Sequence, residues 1–109
     1  MAHLLETIRK RSTFKMIYEK GKTTRGTTFN VQFLEDQNLE NLIYIGFTAT
    51  KKIGTAIKRN TAKRIMRELA RKVISKYGKR NSYYVLIAKP LIFETSFRSQ
   101  EIELKKLIS

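Results

Sequence analysis

The strongest constraint on the fold is a segment in which a helical apolar stripe coincides with an almost purely cationic charge pattern. In residues 51–80, twelve lysines and arginines accompany a single acid, Glu68. Apolar residues recur there at three- and four-residue spacing, which predicts a helix over residues 56–77. Such a helix buries one stripe against another layer and leaves its cations at the surface. The predicted inner stripe is Ala62, Ile65, Met66, Leu69, Val73, Ile74 and Tyr77.

The charge of the whole chain indicates the kind of partner. Its 109 residues suffice for one core, so we expect a single domain over residues 1–109. Lysine and arginine number 23 against 9 acids, a formal net charge of +14. So large a charge on so small a surface opposes compactness by self-repulsion. The leading class of partner is therefore a polyanion, either a nucleic acid or an anionic membrane surface.

The absence of certain residue types and sequence patterns reduces the number of possible functions. The chain has no cysteine, which excludes disulfides, cysteine zinc sites and a thiol nucleophile, and fits a reducing cytosol. No apolar run approaches the ~20 residues of a membrane span. The first residues lack the cationic-then-apolar order of a signal peptide. We therefore expect a cytoplasmic protein with no membrane partner.

The pattern before the first strand predicts a short helix. Phe14, Ile17 and Tyr18 fall at i, i+3 and i+4, the spacing of one helical face. Polar residues that can cap a helix precede them, and a glycine follows. The predicted boundaries are Ser12 or Thr13 at the start, Gly21 at the end, and a loop over residues 22–26.

Three apolar runs predict strands. Residues 27–33 and 43–50 alternate apolar and polar side chains, most simply as a β-hairpin with one buried face. Residues 83–88 form a dense β-type run that Pro90 ends, typical of a central strand. The order α-β-β-α-β-α, with a possible further short strand, predicts a single-domain α+β sandwich. A last helix begins near Thr95 or Ser96, with an inner stripe of Phe97, Leu104, Leu107 and Ile108.

No group of residues suggests catalysis by the protein itself. The only histidine is His3, and no metalloprotease, nucleophile-elbow or phosphate-loop motif is present. Glu68 is expected to pair with a cation one turn away, at Arg64, Arg71 or Lys72. We therefore expect no catalytic residue and no metal ligand in the chain.

The cations of the long helix form a continuous stripe, called the basic face below. Four of them, Arg59 to Arg71, follow at four-residue intervals, so the stripe winds slowly around the helix. A solvated helix face usually alternates its charges, whereas this one has a single acid, which favours phosphate binding. Thr55 and Asn60 can each hydrogen-bond a phosphate, a sugar or a base edge, and the local alternative for Thr55 is to be only the N-cap of the helix. The basic face, with the residues before the helix, comprises Lys51, Lys52, Lys58, Arg59, Asn60, Lys63, Arg64, Arg67 and Arg71.

A second candidate surface is the polar face of the predicted hairpin. It is either the solvated side of an antiparallel sheet or a trough for single-stranded nucleic acid. Phe14 and Tyr18 are equally compatible with stacking on bases and with ordinary core packing. The polar residues that share this face are Asn30, Gln32, Tyr44, Thr48 and Thr50.

The segment from Lys51 to Asn60, Lys-Lys-Ile-Gly-Thr-Ala-Ile-Lys-Arg-Asn, resembles the signature of the bacterial ribonuclease P protein family. The cations from Lys63 to Arg71 continue it. The resemblance covers nearly the whole chain. It extends through Phe14 and Tyr18 before Gly21, the strand Ile45 to Thr50, the run Ile87-Ala88-Lys89-Pro90, and the helix from Phe97 to Leu107.

This resemblance implies an accessory role beside a catalytic RNA. In that family the RNA removes the 5′ leader of precursor tRNA with Mg²⁺, which the RNA subunit mainly binds. The basic face would contact the catalytic RNA, and a cleft between the first helix and the sheet would hold the leader. A left-handed βαβ crossover is also implied, against the usual preference. The cleft positions are Phe14, Tyr18, Asn30, Gln32 and Thr48.

The chain departs from the family pattern at two positions. Thr61 follows Asn60 where a further basic residue is usual, and Gln32 stands where an aromatic is common. Two other functions are compatible with the same composition. One is a small basic ribosomal or general RNA-binding protein, which would not alter precursor tRNA cleavage. The other is a freestanding nuclease, which would cut RNA alone through an acid or His3.

Overall fold

The computed structural model describes residues 4–109, which form a five-stranded mixed sheet with helices on both faces. The α+β class is therefore confirmed. Short 3-10 turns, Lys51–Ile53 and Pro90–Phe93, precede the second and third helices. The elements in chain order are β1 (Leu5–Thr7), α1 (Arg11–Lys20), β2 (Lys22–Thr24), β3 (Phe29–Glu35), β4 (Ile43–Thr48), α2 (Ala56–Leu69), β5 (Ser82–Ala88) and α3 (Phe97–Ile108).

The strands lie in the order β1-β4-β5-β3-β2, so the predicted hairpin is wrong. Strand β5 lies between β3, which runs antiparallel to it, and β4, which runs parallel to it. Its side chains are apolar toward both faces, and Val85 and Leu86 are both buried. A strand that is apolar on both sides is stabilised most at the centre of a sheet. That central placement outweighs the pairing of strands adjacent in sequence.

The sheet has a short strand at each edge. Residues 22–24, predicted as loop, form β2 against β3, and residues 5–7 form β1 parallel to β4. One further short strand was expected from the sequence, and two are present. Each has only three residues, which limits the unpaired edge that the sheet presents.

Helix α2 packs its predicted apolar stripe on one face of the sheet together with α3. Met66 and Leu69 are fully buried there, as is Leu104 of α3. A π-helical turn (Ala70–Ile74) and a short helical segment (Ser75–Tyr77) continue α2 without a break. The π-helical turn changes the phase of the helix. Tyr77 is therefore 46% exposed, and its predicted place in the inner stripe is wrong.

Helix α1 covers part of the opposite face of the sheet. Ile17 is fully buried and packs in a second apolar cluster with Val85 and Ile8. Gly21 ends the helix as predicted, and its N–H donates to the carbonyl of Ile17 at 2.8 Å. The start is different: Lys10 is the N-cap and makes no side-chain capping bond. The predicted caps Ser12 and Thr13 lie inside the helix because it begins at Arg11.

The other helix boundaries follow from local capping. Ser96 accepts a hydrogen bond from the N–H of Ser99 at 3.1 Å and caps α3, one of the two predicted starts. Helix α2 joins the parallel neighbours β4 and β5, so the βαβ unit is present. Its left-handed sense stays a prediction of the family resemblance. Of the helices within residues 4–109, none is both long and apolar enough to span a membrane.

Candidate nucleic-acid interface

The basic face begins at a tight turn before α2. Gly54 has φ 138°, a backbone conformation that side chains rarely adopt, and it follows the exposed Lys51 and Lys52. Thr55 is the N-cap and accepts a hydrogen bond from the N–H of Lys58 at 3.3 Å. The local alternative for Thr55 is therefore confirmed. The other N–H groups of the first turn lack intrahelical partners, and Lys51 and Lys52 shortly precede them in the chain, an arrangement that favours anions.

Within α2, the Arg59 side chain is anchored at the helix start, and the cations around it differ in exposure. One guanidinium N–H of Arg59 donates to the carbonyl of Gly54 at 2.9 Å, so the helix start holds this half-buried side chain. Its remaining N–H groups stay available to a phosphate. Arg64 and Lys58 are exposed and Lys63 is half-buried. Asn60 is exposed beside them, and its contact with a ligand stays a prediction.

Only one cation of the basic face has an acidic partner. Arg71 pairs with Glu68 on the helix surface, as predicted. Within residues 4–109 the other ion pair joins Lys79 to Glu35, away from this face. The Arg67 guanidinium lies over the Phe47 ring, 5.6 Å from its centroid. The basic face therefore carries a concentrated positive potential that is not neutralised within the described part of the chain.

The second surface lies on the α1 side of the sheet. Thr48 pairs in register with Ile87 of β5, and Ile87 pairs with Asn30 of β3. The predicted neighbours Asn30 and Thr48 thus share a face, but one strand separates them. Phe14 lies over Gly46 of β4, where an added Cβ would stand 2.5 Å from its ring. Asn30, Ile87 and Thr48 form one row across the sheet, called the sheet row below. This row and Phe14 border the cleft.

Two further predicted cleft residues differ in accessibility. Tyr18 is 72% exposed on α1 and can stack on a base. Gln32 is only 7% exposed, in register with Val85, in the part of the sheet that α1 covers. It offers little surface to a ligand, and its role in binding stays a prediction. Tyr44 shares the face but lies farther along β4, with its ring 5.7 Å from that of Tyr83.

A cavity of about 440 Å³ joins the cleft to the basic face. Phe14 and Thr48 line it from the cleft side and Lys63 from α2. Arg9 and Arg11 complete its wall, and the sequence analysis did not name them. The feature of the sequence that could have indicated these two arginines is local charge, since residues 1–25 hold seven basic groups against two acids. Their placement depends on how α1 docks, which the sequence pattern does not specify.

A larger cavity of about 680 Å³ lies between β1 and α2. Leu5 and Phe47 contribute apolar surface, and Arg67, Lys72 and Lys76 contribute cations. Lys72 and Lys76 extend the positive surface beyond the residues predicted for the basic face. They lie on the same helix, one and two turns after Glu68.

Two tyrosines of β5, Tyr83 on the α1 side of the sheet and Tyr84 on the α2 side, are neutral at physiological pH. Burial raises the pKa of the Tyr84 hydroxyl, and hydrogen bonding from the N–H of Lys79 at 2.9 Å opposes this only in part. Burial also raises the pKa of Tyr83, and the charge of Asp36 adds to the effect. Because both groups remain protonated, neither adds negative charge to the surface.

The described residues do not gather acidic and histidine side chains into a cluster. Between residues 4 and 109, no group of three or more His, Asp and Glu side chains is arranged to hold a metal ion. Hard divalent cations need several oxygen ligands, and exposed lysines and arginines repel them.

Fold and surface together define a class of protein: a small α+β domain whose cationic helix face and adjoining cleft suit a polyanion. A model of the Ribonuclease P family matches residues 4–109. The ribonuclease P protein component of Caulobacter vibrioides is 39% identical over 84 residues, covering 77% of this chain and 56% of that protein. The chain belongs to the Ribonuclease P family.

In other relatives the match covers a larger share of the relative's own length. The ribonuclease P protein component of a Nitratiruptor species is 27% identical over 104 residues, 95% of this chain and 90% of that protein. The solved RNase P protein from Thermotoga maritima superposes with a TM-score of 0.80 at 27% identity, covering 94% of each chain. The chain nevertheless spans just over half the length of the Caulobacter protein.

Proposed function

We propose that this protein is the protein subunit of ribonuclease P and acts in the cytoplasm. It assists a catalytic RNA in removing the 5′ leader from precursor tRNA by binding both the leader and the catalytic RNA. The observation that carries the proposal is the junction of two different surfaces. An unneutralised basic face suits a folded RNA, a cleft with exposed aromatic surface suits an unpaired strand, and one cavity connects them.

The two surfaces bind different RNAs in this proposal. The basic face, centred on Lys63, Arg64 and Arg67, neutralises phosphates of the catalytic RNA. The cleft takes the leader, with Phe14 and Tyr18 offering rings for stacking and Asn30 and Thr48 offering polar groups. Because one rigid domain holds both, leader binding becomes intramolecular once the precursor tRNA is bound to the catalytic RNA that carries the protein.

The chemistry belongs to the RNA in this proposal. Mg²⁺ is held mainly by the RNA subunit, since the chain's described residues do not form a metal site. The protein contributes positive charge close to crowded phosphates, which reduces the repulsion between catalytic RNA and substrate. Its effect is therefore largest where Mg²⁺ is scarce, because cations are then the limiting source of screening.

The test is processing of a precursor tRNA at low Mg²⁺ by a bacterial ribonuclease P RNA, with and without this protein, and by the protein alone. We expect strong stimulation of correct 5′ cleavage and no cleavage by the protein alone. Tight RNA binding without stimulation would instead favour a ribosomal or general RNA-binding protein. Cleavage by the protein alone would overturn the assignment of chemistry to the RNA.

A further inference from the structure

The loop between β2 and β3 is held by hydrogen bonds to a carboxylate of the last helix. Glu103 of α3 accepts hydrogen bonds from the backbone N–H groups of Thr27 and Thr28, the latter at 3.2 Å. The buried hydroxyl of Thr28 donates to its other oxygen. Three donors on one carboxylate, 75 and 76 residues away in the chain, hold this loop in a single arrangement.

The same loop makes a hydrogen bond to the Asn30 side chain of the cleft. The N–H of Gly26 donates to Oδ1 of Asn30 at 3.1 Å, and Lys89 Nζ donates to the Gly26 carbonyl at 2.7 Å. There is no room for a side chain at Gly26, because an added Cβ would stand 2.4 Å from Glu103 Oε2 and from the Phe29 carbonyl. The loop therefore sits directly between Glu103 and Asn30.

This contact sets the orientation of the Asn30 amide. With Oδ1 occupied by the Gly26 N–H, the two N–H donors of Nδ2 are the groups left for a ligand. Asn30 is half-buried in the sheet row with Ile87 and Thr48, on the cleft side. The cleft thus presents a donor at this position, which suits phosphate oxygens and the carbonyl acceptors of unpaired bases.

The geometry points to Glu103 as a positioning residue for leader binding. By fixing the loop at residues 26–28, it holds Asn30 with its donors directed to an acceptor of the single-stranded leader. Glu103 itself does not touch the RNA. This inference rests on the proposed function, and it explains why an acid is held at the end of a cleft that is otherwise cationic.

The test compares the affinity of the assembled ribonucleoprotein for precursor tRNA with its affinity for leaderless tRNA. Glu103→Ala is expected to reduce this leader preference about fivefold, the effect of one lost hydrogen bond. Asn30→Ala should do the same, and the double variant should lose no more than Asn30→Ala alone. A purely structural role would instead make the two losses add.

Glu103→Gln provides the rescue. Its amide oxygen can accept from both backbone N–H groups while its Nε2 donates to the Thr28 hydroxyl, so leader preference should stay within about twofold of the original. The matched control is Glu101→Ala, which removes the same charge from the same helix outside this network and should leave the preference unchanged. Thermal melts of every variant in sulfate check folding.

Each result decides between the possibilities. Unchanged preference in Glu103→Ala, additive losses, or an equal loss in Glu101→Ala would overturn the positioning role. If Glu103→Ala fails to fold, Thr28→Val replaces it, because it removes only the hydroxyl bond and should lose part of the preference. If the unsubstituted protein gives no leader preference, the proposed function fails, which is a different result from failure of this inference.

Discussion

Replacing Lys63, Arg64 and Arg67 together by alanine is expected to weaken binding of a bacterial ribonuclease P RNA by about a hundredfold near physiological salt. The slope of log affinity against log salt should fall by about 2 to 3, since each lost phosphate contact removes about 0.7 to 0.9. None of the three has an acidic partner among residues 4–109, so each is available to pair with a phosphate of the RNA. The measurement is a binding titration at several salt concentrations.

A matched control separates the basic face from net charge. Lys22, Arg98 and Lys106 are exposed on other elements, and their joint replacement by alanine removes the same charge. We expect that variant to lose less than about threefold in affinity, since these side chains lie outside the basic face and exposed charges that make no direct contact are largely screened. Equal losses in the two triple variants would mean that overall charge, and no particular face, determines RNA binding.

The second large effect concerns the free protein, which we expect to be marginally stable at low salt. Its net charge of +14 opposes compactness, and the folded state concentrates cations that the unfolded chain spreads apart. Anions therefore bind the folded state preferentially. Sulfate at about 100 times its dissociation constant should add about 2.7 kcal/mol to the free energy of unfolding. The melting temperature should rise by about 10 °C, as followed by circular dichroism.

Two controls identify the cause of that stabilisation. Sodium chloride at equal ionic strength screens repulsion but binds weakly, so it should raise the melting temperature less. The Lys63, Arg64 and Arg67 triple variant keeps the general effect of sulfate as an excluded salt but lacks part of the anion site. Its shift should be clearly smaller than that of the unsubstituted protein. Identical shifts in both proteins would contradict specific anion binding.

The parts of the fold that were predicted correctly are those determined locally. Helix α2 has its period, its Thr55 cap and its cations within one continuous segment, so its buried face and its basic face were both predictable. The strand pairing was not, because β5 is separated by α2 from the strand it pairs with in parallel. Short edge strands such as β1 carry too few residues to show a pattern and depend on the partner that they find.

The candidate site divides in the same way. The basic face lies on one helix, so sequence spacing alone brought its residues together. The cleft is formed by α1, β4, β5 and β3, and its shape depends on the docking of Phe14 over Gly46. That docking covers the part of the sheet where Gln32 lies and brings Arg9 and Arg11 to the cavity wall. Neither consequence is encoded in a local pattern.

The central claim is that two surfaces of this domain contact two different RNAs, and site-directed cleavage tests it most directly. Because the chain has no cysteine, Asn60→Cys on the basic face and Thr48→Cys in the cleft each give a single attachment point for iron-EDTA. In the complex of protein, catalytic RNA and precursor tRNA, the reagent at residue 60 should cleave the catalytic RNA. The reagent at residue 48 should cleave the 5′ leader. Cleavage of the same RNA segment from both positions, or none of the leader from residue 48, would contradict the claim.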